Sequence, residues 1–120
     1  MKSLKTLRKP AAATALALGL VFGGGSAAQA LTSYVEGGYA TSSGSYRTIT
    51  AKDTSADGNR IYGNYWKTGN SKRFQVITYN YGETASATMA KGIQVHHFQA
   101  CVDKPISGDT CGPIKYNPYV

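Results

Sequence analysis

His96 and His97 stand side by side, and they are the only imidazoles in the 120-residue chain. Imidazole is the commonest metal ligand and a ready general base near neutral pH. Successive side chains on a strand point to opposite faces. The spacing therefore predicts two rings that cannot readily grip one ion, one half-buried and the other exposed. An exposed imidazole would make binding sensitive to mildly acidic pH.

A second candidate is Asp53-x-Ser55-x-Asp57-Gly58-Asn59. Oxygen side chains at alternate positions, with Gly sixth, resemble the opening of a calcium loop. Calcium takes six to eight oxygens, and the closing bidentate Glu is missing, since position twelve falls on Asn64. The plainer reading is an Asx turn between strands, with Gly58 at positive φ. Asp53, Ser55 and Asp57 thus form a weak calcium candidate, and no cofactor or resident metal is expected. For nucleophilic catalysis there is no G-x-S-x-G elbow, and no Ser is placed beside a His and a carboxylate. Several of the six acidic residues (Glu36, Asp53, Asp57, Glu83, Asp103, Asp109) sit in turns, where a structural or solubility role is commoner than a glycosidase pair. A non-enzymatic protein is expected.

The aromatic residues carry most of the signal. Tyr62, Tyr65 and Trp66 share one segment; Tyr79 and Tyr81 follow the next; Tyr116 and Tyr119 end the chain. Tyr and Trp provide rigid contact area with a polar tip and dominate interface hot spots. They also fit strands and small cores, so the set serves packing, recognition or both. Lys67, Lys72 and Arg73 flank one hairpin, a bias that suits an anionic envelope or an acidic protein. There is no basic stripe or recognition motif for nucleic acid.

The elements that must hold these residues read as short strands. Residues 33–36 start one, and 37–44 read as a flexible connection. Ser45–Lys52 alternates Arg47, Ile49 and Ala51 against Tyr46, Thr48, Thr50 and Lys52. Arg60–Lys67 places Ile61, Gly63 and Tyr65 on one face and Tyr62, Asn64 and Trp66 on the other. Thr68-Gly69-Asn70-Ser71 is a hairpin turn leading to a strand at Lys72–Tyr79. Thr84–Lys91 alternates Ala85, Ala87 and Met89 with Ser86 and Thr88. Ile93–Val102 is a long strand whose Val95, His97, Gln99 and Cys101 oppose His96, Phe98, Ala100 and Val102. Lys104–Thr110 is a turn, and Cys111–Tyr116 is a last strand. About seven short strands near ten-residue spacing predict an all-β, antiparallel, immunoglobulin- or fibronectin-like sandwich; a small barrel is the alternative.

Composition sets the compartment. Basic residues Lys2, Lys5, Arg8 and Lys9 precede an apolar run from Ala11 to Phe22 and a small-residue stretch ending Ala28-Gln29-Ala30. This is the pattern of a secretory signal peptide, residues 1–30. The run falls short of the roughly 20 apolar residues that span a bilayer. Without it, the formal charge falls from +7 to +3, nine basic minus six acidic residues. Five of the six Leu also go, leaving a domain at 31–120 with nine Tyr and eighteen Ser and Thr. That size suits one domain and excludes a Rossmann or TIM-barrel enzyme. Cys101 and Cys111 then reach an oxidising exterior and are expected to pair. Their closed loop of about ten residues is worth about 2.5–3 kcal/mol on the chain-entropy model.

Asp53-Thr54-Ser55-Ala56-Asp57-Gly58, and Cys101 with Asp109-Thr110-Cys111, resemble small secreted proteins of actinobacterial type with one disulfide and a β-sandwich. The resemblance implies compartment and fold and adds no catalytic residue, because that group largely lacks assigned function.

The combined expectation is a secreted, extracellular binding module for a protein or cell-envelope glycan. Tyr62, Tyr65, Trp66, Lys104 and Asp109 are its candidate contacts, with the Lys104–Thr110 loop stiffened by the disulfide. An enzyme inhibitor or adaptor subunit of a secreted assembly is a rival, inserting a loop or edge strand. A small secreted hydrolase is another. Neither nucleic-acid binding nor membrane insertion is expected.

Overall fold

The computed structural model describes residues 30–120. The expected signal peptide lies outside the described residues except for Ala30. The described chain forms nine strands: β1 (Thr32–Val35), β2 (Gly38–Ser42), β3 (Thr48–Asp53), β4 (Arg60–Lys67), β5 (Arg73–Ile77), β6 (Thr84–Thr88), β7 (Val95–Asp103), β8 (Thr110–Cys111) and β9 (Lys115–Tyr116). They make two antiparallel sheets, ordered β1-β2-β3-β6 and β5-β4-β7-β8, with β9 pairing β7 beyond β8. The loops after β3, β5 and β6 each cross between sheets. The result is an all-β sandwich. Among the described residues no strand pairing joins the two sheets, so the barrel alternative does not apply. In immunoglobulin lettering, β3-β6 lie as B-E do and β5-β4-β7-β8 as C′-C-F-G do.

Alternation explains the core. Ala40, Ile49 and Ala51 face inward from one sheet; Ile61, Tyr65, Val76, Phe98, Ala100 and Val102 face them from the other. Small residues set the closest approach. A Cβ at Gly63 would lie 3.3 Å from both the Ala40 Cβ and a Val76 methyl. Leu is nearly absent because these β-branched, aromatic and small side chains fill a thin, pleated interior.

Three expectations about the strands are corrected. Residues 38–42, read as a flexible connection, are strand β2, paired on both sides with β1 and β3. Gly38 is needed there for closeness, since a Cβ would stand 2.4 Å from the Lys52 carbonyl oxygen and 2.6 Å from Ile61. The Ser45–Lys52 strand starts only at Thr48. Tyr46, read as a strand residue on the face opposite Ile49 and Ala51, sits in the preceding turn at φ 57° and is fully buried. The last strand, read as Cys111–Tyr116, is two short pieces interrupted at Gly112-Pro113. The Ala-containing segment 84–88, despite its helix propensity, is strand β6. Its outward hydroxyls meet those of β3, Thr48 with Thr88 at 3.2 Å and Thr50 with Ser86 at 2.8 Å.

Cys101 and Cys111 form the expected disulfide, within one sheet, between directly opposed positions of β7 and β8. Replacing both with Ala is expected to cost about 2.5–3 kcal/mol, read as a lower urea midpoint. Gly38→Ala is expected to cost about 1–3 kcal/mol through overpacking, read as a lower melting temperature.

Candidate functional site

Outward-facing side chains of β5, β4, β7 and β9 form three rows across the five-stranded sheet. The first is aromatic. Trp66 lies opposite His97, and His97 lies opposite Tyr116. The Trp66 and His97 rings stack at 4.3 Å and 12°, and His97 and Tyr116 at 5.2 Å and 27°. The rings use their faces on one another, so they stand as a stacked file rather than a flat floor. Trp66 and His97 are half-buried, and Tyr116 is 59% exposed.

The middle row is made of amides. Gln75, Asn64 and Gln99 are directly paired across β5, β4 and β7. The Gln75 amide donates to Asn64 Oδ1 at 2.9 Å, and the Asn64 amide donates to Gln99 Oε1 at 3.4 Å. Gln99 in turn donates to the Gly112 carbonyl at 3.3 Å. Asn64 is buried beneath its neighbours, while Gln75 is exposed.

The third row holds Tyr62, opposite Cys101 and therefore beside the disulfide. The Tyr62 hydroxyl donates to an Asp109 carboxylate oxygen across the Lys104–Asp109 loop. Burial, and then this acceptor and its charge, push the Tyr62 phenol up to about 12. Arg73 opposes that shift slightly.

β4 therefore brings Tyr62 and Trp66 onto one face, four residues or about 13 Å apart along the strand. Tyr65 does not join them. Strand alternation turns it inward, where it is 6% exposed in the core and stacked on Phe74 at 5.6 Å. Its assignment as a contact residue is corrected: it is a core residue. Lys104 also stands apart, held at 2.7 Å by Glu36 of the turn between β1 and β2. That pair ties the loop to the other sheet. At the loop tip, Ile106 is 100% exposed. Asp53 and Asp57 each cap a turn, accepting from the Ser55 and Asn59 amides at 3.1 and 2.9 Å. Asp53 is buried, and among the described residues no three His, Cys, Asp or Glu side chains group as a metal set.

The histidines depart from simple alternation. Trp66 pairs with His97 but Lys67 pairs with Val95, so β7 carries a bulge at His96. The extra residue lets both Val95 and Phe98 face the core, and it brings the two imidazoles together. His96 Nδ1 and His97 Nδ1 are 2.9 Å apart, with the rings edge-to-face at 5.1 Å. Opposite orientation, expected from a two-residue period, is corrected, as is the expected difference in exposure: both rings are half-buried. Burial, and then the neighbouring His96, hold His97 below its ordinary value of 6.5.

The sequence singles out His97 and Tyr116 but shows neither their stacking with Trp66 nor the amide row. Period-two alternation places Asn64 with Tyr62 and Trp66, but the partner strands need tertiary pairing. Comparison with family models, curated proteins and solved structures returns no match.

Above pH 10 an unfolded Tyr ionises while Tyr62 stays protonated up to about 12, so its contribution to stability is lost as pH rises through that window. Asp109→Asn is expected to bring the Tyr62 titration down toward 10, read by phenolate absorbance.

Proposed function

We propose that the protein is a secreted, non-enzymatic binding module that recognises a cell-envelope glycan or a protein through the outer face of its five-stranded sheet. One observation carries this reading: the Gln75-Asn64-Gln99 amide row lies between the Trp66-His97-Tyr116 file and Tyr62. Amides supply paired donors and acceptors for hydroxyl-rich ligands. Flanking rings supply rigid apolar area at little entropic cost. The face is pre-formed by ladder hydrogen bonds and by the disulfide behind Tyr62, so little ordering is needed on binding. Extracellular placement is supported by the disulfide and by the signal-like segment before residue 31. Among the described residues no helix is long and apolar enough to cross a membrane.

The protein-partner reading has its own support. Ile106, fully exposed at the tip of the disulfide-closed loop, is an apolar knob suited to a pocket on another protein, as an inhibitor or adaptor would require.

The experiment pairs two immobilised targets, envelope polysaccharide and the proteins of the producer's culture fluid. Retention on polysaccharide that falls about ten-fold or more with Trp66→Ala or Gln75→Ala, the fold being intact, supports the sheet face. Retention unchanged by both variants but lost with Ile106→Asp moves the contact to the loop. Retention on neither target overturns the reading.

A further inference from the structure

We propose that His96 and His97 chelate one divalent transition-metal ion of the copper–nickel class through their two Nδ1 atoms. The bulge in β7 creates the pair. Without it, β7 would turn the rings to opposite sides of the sheet. With it, the two nitrogens lie 2.9 Å apart on one side. Metal–imidazole bonds are about 2.0–2.1 Å long. Two such bonds at a right angle place their nitrogens about 2.9 Å apart, whereas a tetrahedral angle needs about 3.3–3.4 Å. The spacing thus matches the cis positions of a square-planar or tetragonal ion, the geometry of Cu2+ and Ni2+ with nitrogen and oxygen ligands, better than that of tetrahedral Zn2+.

In the neutral pair one Nδ1 donates its hydrogen to the other. On chelation the donor ring changes tautomer, carrying its hydrogen on Nε2, so both Nδ1 lone pairs face the ion and no net proton is released. His97 is held in place from both sides, by Trp66 at 4.3 Å and Tyr116 at 5.2 Å, which fixes the plane of one ligand in advance. The remaining coordination positions open onto a depression of about 450 Å3, walled by Trp66 and by Gly69, Asn70 and Ser71 of the β4–β5 turn. Water completes the coordination there. Lys67 also borders this depression, but its ammonium lies over the Phe74 ring at 4.4 Å.

Trp66 is the only Trp in the chain and stacks on one of the ligands, so its fluorescence reports on the site. The test titrates Cu2+ into the disulfide-intact protein and follows Trp66 emission, with electron paramagnetic resonance on the loaded sample. The expected result is 1:1 quenching, a spectrum with hyperfine coupling to two imidazole nitrogens, and weaker binding of Zn2+. His96→Ala, which leaves the Trp66-His97-Tyr116 file intact, is expected to weaken Cu2+ binding at least ten-fold, and His97→Gln likewise. Quenching that is unchanged in His96→Ala, or a wild-type spectrum with fewer than two imidazole nitrogens, overturns the proposal. The readout is independent of any glycan or protein partner, so the site and the binding-module reading can fail separately.

Discussion

The pairing of β4 with β7 is the constraint on which the rest of the structure depends. Eight positions of β4 align with β7, from Arg60 opposite Asp103 to Lys67 opposite Val95. Inward, the pair supplies Ile61, Tyr65, Phe98, Ala100 and Val102, the larger part of one wall of the core. Outward, the same register sets Tyr62 beside Cys101, Asn64 beside Gln99 and Trp66 beside His97. Because side chains alternate with a period of two, a slip by one residue would exchange these sets and expose the core. Core and recognition face are therefore fixed by one register.

The bulge at His96 is the one break in that register. It falls at the end of β4, where the ladder closes and Val95 must still reach the interior. The backbone contributes too: the Val95 amide donates to the Tyr46 carbonyl at 2.6 Å, and the Asn117 side chain donates to the Val95 carbonyl at 3.0 Å. These bonds anchor the residue before the bulge from the turn preceding β3 and from the segment after β9. The insertion thereby becomes a fixed pair of imidazoles rather than a frayed strand end. Bulges are common next to functional sites because they re-aim side chains in this way.

Closeness of the sheets is the second determinant. Gly38, Gly63, Ala40 and Ala51 permit an approach that larger residues would block. Gly38 shows why part of the fold was illegible. Two successive glycines after Glu36 read as a flexible connection. In the sandwich, Gly37 takes φ 88° in the turn, and Gly38 is pressed between the Lys52 carbonyl and Ile61. The same residue type signals freedom in an isolated chain and tight packing in a folded one. Tyr46 is a related case. Alternation sets it opposite Ile49 and Ala51, but a turn with positive φ carries its ring into the interior.

The sequence by itself determined the class of structure and much of its inner surface. Loss of Leu beyond residue 31, β-branched and aromatic runs with a period of two, turn residues between them, and a Cys pair ten apart sufficed for an all-β sandwich with one disulfide. Alternation along β4 also separated Tyr65 from Tyr62 and Trp66. These are local properties, set by each strand's own pleat. Which strands became neighbours was decided only in three dimensions, because pairing depends on closing long loops and burying both sheets at once. The Trp66-His97-Tyr116 file, the amide row and the meeting of His96 with His97 all join residues by that pairing. Periodicity can place a residue on a face; it cannot say what lies across the ladder, or where one extra residue shifts the count.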